Sequence, residues 1–145
     1  MNRLGTLFVI SFACCSSWAT VHALRPPPAP DQALSVCAIT ANAKHYDGMS
    51  VVLQGYYRMV IHGAILRGNS CPEVELAVRR ARNYRANKQA SNVLRSLTKK
   101  SQFRPVDVIV RGVFRVAKEG HCFGQICSSY QIEIRELLYA QPVPR

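Results

Sequence analysis

Acidic side chains are scarce in this chain. Against 19 Lys and Arg stand only 8 Asp and Glu, which leaves a formal charge of +11 over 145 residues. Aspartate occurs only at Asp31, Asp47 and Asp107. A hard-cation site of the nuclease type needs clustered carboxylates, and the chain supplies few. Its closest acidic pair, Glu73 and Glu75, reads as a solvated strand face next to Arg79, not as an acid–base pair. Catalytic signatures are also missing. There is no Gly-x-Ser-x-Gly, no His-Glu-x-x-His and no glycine-lysine phosphate loop. Without a Cys-x-x-Cys, redox exchange has no motif. His45 and His62 are isolated. His121, Cys122 and Cys127 lack the ligand number and spacing zinc prefers. No catalytic residue, metal or cofactor is therefore expected.

Long apolar runs are absent after the N-terminus. Arg3, then the apolar run Leu4 to Cys15, then Val21-His22-Ala23 form the three-part layout of a secretory signal, with cleavage after Ala23. That run is short for a membrane span. The expectation is an export signal over residues 1–23, a periplasmic or secreted destination, and no transmembrane span in the mature chain. Residues 24–33 hold Pro26, Pro27, Pro28 and Pro30 and read as an extended spacer. One domain follows over residues 34–140, with a tail over 141–145. A hydrophobic fraction of 48% fits a globular domain and argues against disorder.

Periodicity organises that domain. Asp31 to Ala43 predicts a short helix, with Leu34, Ala38 and Ala41 in a stripe shared with Cys37 and Asp31 near its start. Ser50 to Val60 predicts a strand with Val51, Leu53, Tyr57 and Met59 on one face. Gly55 interrupts that face and suggests a bulge or bend. Shorter strands follow at Ala64 to Arg67 and Glu73 to Val78. Ala86, Ala90, Val93, Leu94 and Leu97 then mark one face of an amphipathic helix, with Arg79 to Arg85 as the loop leading into it. Val106 to Lys118 and Tyr130 to Tyr139 are the last two strands, the first interrupted by Gly112. This is a mainly β chain with one or two helices. Five strands with a helix between the third and fourth is the order of an OB-like five-stranded Greek-key barrel.

Two segments carry a resemblance. Tyr46-Asp47-Gly48-Met49-Ser50-Val51-Val52-Leu53-Gln54-Gly55 and Val108-Ile109-Val110-Arg111-Gly112-Val113-Phe114 resemble small exported bacterial OB-fold proteins. Those open with a Tyr-Asp-Gly-x-x-Val-x-Val-x-Gly strand and have a later Val-x-Gly-x-Phe strand. The resemblance spans roughly residues 34–140. It implies the fold and export, and carries over no catalytic residue.

Loss of a signal segment removes Cys14 and Cys15 and leaves Cys37, Cys71, Cys122 and Cys127. An even set in an exported domain implies disulfides, and four cysteines allow three connectivities. The pairing expected is Cys122–Cys127, pinning one loop, with Cys37–Cys71 tying the N-terminal helix to the barrel.

The basic residues are unevenly spread. No acid lies between Glu75 and Asp107, while that interval holds Arg79, Arg80, Arg82, Arg85, Lys88, Arg95, Lys99, Lys100 and Arg104. Arginine dominates, and its fork suits phosphate and carboxylate. A bland alternative is a solvated loop and helix face. A second set, Arg58, Arg111, Arg115 and Arg135 with Tyr56, falls on strand faces opposite the core. It reads either as a ligand-facing display or as cross-strand pairs, with Glu133 neutralising Arg111 or Arg115. The expected function is a non-enzymatic binding module for an anionic glycan, nucleic acid or lipid surface. The rival is an accessory subunit docking on an envelope protein. A metal-dependent nuclease stands third.

Overall fold

The computed structural model describes residues 32–100 and 104–143, with side chains through residue 97 in the first segment. The expected export signal, most of the proline spacer, Asp31, the last two residues, and the side chains of Lys99 and Lys100 lie outside the described residues. The elements are β1 (Leu34–Ser35), α1 (Val36–Ala41), α2 (Ala43–Tyr46), β2 (Ser50–Val60), β3 (Gly63–Arg67), β4 (Glu75–Ala86), α3 (Lys88–Lys100), β5 (Val106–Val116) and β6 (Tyr130–Pro142).

The N-terminal helix differs from its sequence prediction. Leu34 and Ser35 instead pair in parallel with Leu53 and Gln54 of β2. The helix starts later because the Ser35 hydroxyl accepts the Ala38 N–H at 3.1 Å, satisfying one of the orphan donors of the first turn. Its buried residues are Val36 and Ile39, not the stripe of Leu34, Ala38 and Ala41. Branched aliphatic side chains bury more apolar surface than alanines, and the helix turns that face inward.

The chain is mainly β, built as one mixed sheet of six strands in the order β1-β2-β3-β4-β6-β5. A further antiparallel pairing of β2 with β5, from Ser50↔Val113 to Tyr57↔Val106, curls the sheet into a barrel-like ring. The β4–β6 pairing is parallel. Leu53, Leu66, Leu76, Val108, Phe114 and Ile132 fill the interior, each with no exposed surface.

Two glycines permit the curl. A Cβ at Gly55 would lie 2.7 Å from the Arg67 carbonyl oxygen. Gly55 separates the stretch of β2 paired with β1 from the stretch paired with β3. A Cβ at Gly112 would lie 2.5 Å from the Glu133 carbonyl oxygen. The β5–β6 register shifts between Arg111 and Gly112, so this position is a bulge.

Three strand predictions need correction. Met59 is 40% exposed rather than inward, because β2 runs past the ring after its pairing with β5 ends at Tyr57. β4 begins at Glu75 and continues to Ala86, absorbing the predicted Arg79–Arg85 loop. Its backbone finds partners on β6, first from Leu76↔Tyr130 to Arg80↔Ile134 and again from Arg85↔Glu136. Hydropathy does not reveal this, since only Ala81 is buried between Arg79 and Arg85. The middle of β5 is buried on both faces instead of alternating. Its outer face is covered at Asp107, whose carboxylate accepts the Gln54 amide at 3.3 Å and the Gln141 amide at 2.9 Å. That bridge spans β2, β5 and β6.

α3 packs against β6, with Ala90 and Leu94 buried. Asn87 caps it, its side-chain oxygen accepting the Gln89 N–H at 2.9 Å. Both expected disulfides are present. Cys37–Cys71 ties α1 to the β3–β4 connection, with Cα atoms 5.8 Å apart. Cys122–Cys127, with Cα atoms 4.7 Å apart, pins the β5–β6 loop. By loop-closure entropy the first contributes roughly 4 kcal/mol and the second roughly 2 kcal/mol.

Candidate functional site

β4 and α3 bring most of the acid-free interval together. Arg79, Arg80, Arg82 and Arg85 on β4, and Lys88 and Arg95 on α3, are all exposed. The β4–β6 register shifts between Arg80 and Arg85, where Arg80 faces Ile134 and Arg85 faces Glu136. The chain between them is a bulge that holds Arg82 and Tyr84. Bulges re-aim side chains, and here one sits among four arginines. Of the four arginines on β4, Arg79 alone approaches a carboxylate among the described residues, with its Nε 3.8 Å from Glu133. The sequence pattern suggests Arg111 or Arg115 as the partner of Glu133. The parallel register instead sets Arg79 opposite Glu133.

Beside this edge is a cleft of about 310 Å³, lined by Tyr57, Met59, Arg80, Tyr84, Ser91, Leu94 and Arg95. The Arg80 guanidinium stands over the Tyr84 ring, 5.4 Å from its centroid. Burial pushes the Tyr84 phenol above its ordinary value, Arg80 opposes that shift, and Tyr57 adds to it. The phenol is therefore a neutral donor near pH 7. This cleft combines guanidinium groups, phenols and apolar side chains. Strand alternation places Tyr57 and Met59 on the core face of β2; Tyr57 is buried there and Met59 is not, and nothing in the sequence links either to α3.

The second basic set is dispersed. Tyr56 and Arg58 line a separate cavity of about 210 Å³ with Arg67, Gly68, Pro72 and Pro105. Arg111 lies opposite Val52, about 20 Å along β2 from Arg58 at 3.3 Å per residue. Its guanidinium donates to Glu136 at 2.5 Å. Arg115 and Arg135 are exposed. Cross-strand neutralisation is real for Arg111, but Glu136 supplies it.

Glu73 and Glu75 do not form a shared strand face. Glu73 precedes β4, and Glu75 pairs with Arg67, its cross-strand neighbour. Among the described residues no three His, Cys, Asp or Glu side chains gather as a metal site. No helix among the described residues is long and apolar enough to cross a membrane. Compared with protein-family models, curated proteins and solved structures, the chain matches none.

Proposed function

We propose that this protein is an exported, non-enzymatic binding module on an OB-type barrel, and that the β4–α3 edge takes an anionic ligand. The observation that carries this reading is the edge itself. Arg80, Arg82 and Arg85 are exposed and form no ion pair among the described residues. Lys88 adds a cation at the start of α3, where the helix dipole is also positive and no acid occupies the first turn. A folded surface that concentrates like charge without internal neutralisation raises the local concentration of anions.

The ring order, the parallel β4–β6 pairing and the helix between β4 and β5 support the OB-type reading. Two disulfides favour an oxidising compartment.

Binding to heparin, single-stranded DNA and anionic vesicles across a salt series tests the function. Affinity should fall linearly on a log–log salt plot, because bound arginines release counterions. Salt-independent binding, or none to any of the three, would sink the reading. The envelope-subunit alternative is favoured if a protein partner co-purifies and survives charge reversal at Arg79, Arg80 and Arg82.

A further inference from the structure

We propose that the cleft between β2, β4 and α3 binds a phosphate group carried on a short apolar body, the chemistry shared by a phospholipid headgroup region and a small organic phosphate. The inference rests on the anion-binding reading and adds the place and the ligand class.

Cations come from two elements, Arg80 on β4 and Arg95 on α3, both lining the cleft. The Arg80 guanidinium lies over the Tyr84 ring. A guanidinium carries five N–H donors in a fork that matches phosphate oxygens bidentately. The Tyr84 phenol, held protonated by burial, adds a further donor.

The apolar side decides the ligand class. Leu94 and Met59 line the same cleft as the arginines. Met59 is 40% exposed, and past it Ile61, at the tip of the β2–β3 hairpin, is 85% exposed. Inorganic phosphate or a sulfated glycan gains nothing from covering these side chains. A phosphate with an apolar extension satisfies both halves of the cleft. At roughly 30 Å³ per water-sized group, the space takes a headgroup and a few carbons rather than a whole lipid.

Calorimetry on the disulfide-bonded chain tests this. The probes are dihexanoyl phosphatidic acid below its micelle concentration, glycerol phosphate, inorganic phosphate, and phosphatidylcholine vesicles with and without phosphatidylglycerol. The short-chain lipid should bind at least about tenfold more tightly than glycerol phosphate or inorganic phosphate, the increment of one buried side chain. Arg80→Gln and Met59→Gln should each weaken it about tenfold, with melting temperature unchanged. Lys44→Gln, exposed on α2 and outside both the cleft and the basic edge, should stay within about twofold. Selective binding to phosphatidylglycerol vesicles identifies a bilayer as the source. Short-chain binding without vesicle binding identifies a free organic phosphate. Either result upholds the site. Equal affinity for all three soluble probes, or a Lys44→Gln loss equal to that of Arg80→Gln, overturns it. Heparin retention separates the two levels: if heparin binds without lipid selectivity, only the cleft assignment falls, and if neither binds, both fall.

Discussion

Two arginine-bearing regions of this ring meet different electrostatic fates. On one wall the strand register sets arginines opposite acids. Arg111 faces Glu136 across β5 and β6, and Arg67 faces Glu75 across β3 and β4. Both couples close as ion pairs. Among the described residues, Arg79 is the one arginine of β4 within 4 Å of a carboxylate, through a side chain that is 67% exposed. The difference lies in placement, not residue type. The β5–β6 register sets Arg111 opposite Glu136, whereas the interval from Glu75 to Asp107 contains no acid. The wall uses its arginines for cohesion, and the edge leaves its own facing solvent.

Four changes test this contrast. Gly112→Val strikes the wall, where even a Cβ would meet the Glu133 carbonyl oxygen. It should cost about 3 kcal/mol, read as a lower denaturant midpoint, while the folded fraction keeps its anion binding. The triple change Arg80→Gln, Arg82→Gln and Arg85→Gln should do the reverse. Its salt slope should fall by about three and its stability shift by less than about 1 kcal/mol. If unfolding and binding move together in both variants, the division between wall and edge is wrong.

Glu136→Gln turns a wall arginine into one of the edge kind. The pair is over a third exposed on each side, so screening holds its contribution under about 1 kcal/mol. The released Arg111 should steepen the salt slope of heparin binding by less than about one. The smallest effect concerns Tyr84. Its phenol is raised in the folded state, so the native chain keeps that proton after the unfolded chain releases it. Stability from this group is complete below pH ~10 and is lost as pH climbs through the folded value. Tyr84→Phe should remove one late-titrating phenol from an ultraviolet tyrosinate titration and flatten that alkaline loss.

Several elements were readable from pattern because local chemistry decided them. The core face of β2 as far as Tyr57 followed from alternation, and α3 from its apolar spacing. The interruptions at Gly55 and Gly112 proved to be points of close backbone approach. Cysteine parity points to disulfides, and the expected connectivity is present. Other features failed for identifiable reasons. The Ser35 cap competed with Asp31 as a helix start, and larger side chains rotated α1 inward. β4 ran on through Arg79–Arg85 because its partner, β6, lies some fifty residues away in sequence. No local hydropathy records such a pairing. Glu133 meets Arg79 and not Arg111 or Arg115 for the same reason, since partners follow register rather than sequence spacing.

Composition and local pattern settled the charge excess, its concentration between two acids, the β-rich character and the disulfide set. These depend on residue identity and short-range spacing, which the chain carries directly. The tertiary structure alone decided which arginines are neutralised and that Arg80, Tyr84, Met59 and Arg95 share one cleft. Those outcomes depend on ring closure and on the parallel β4–β6 register, both set by contacts between residues far apart in the chain.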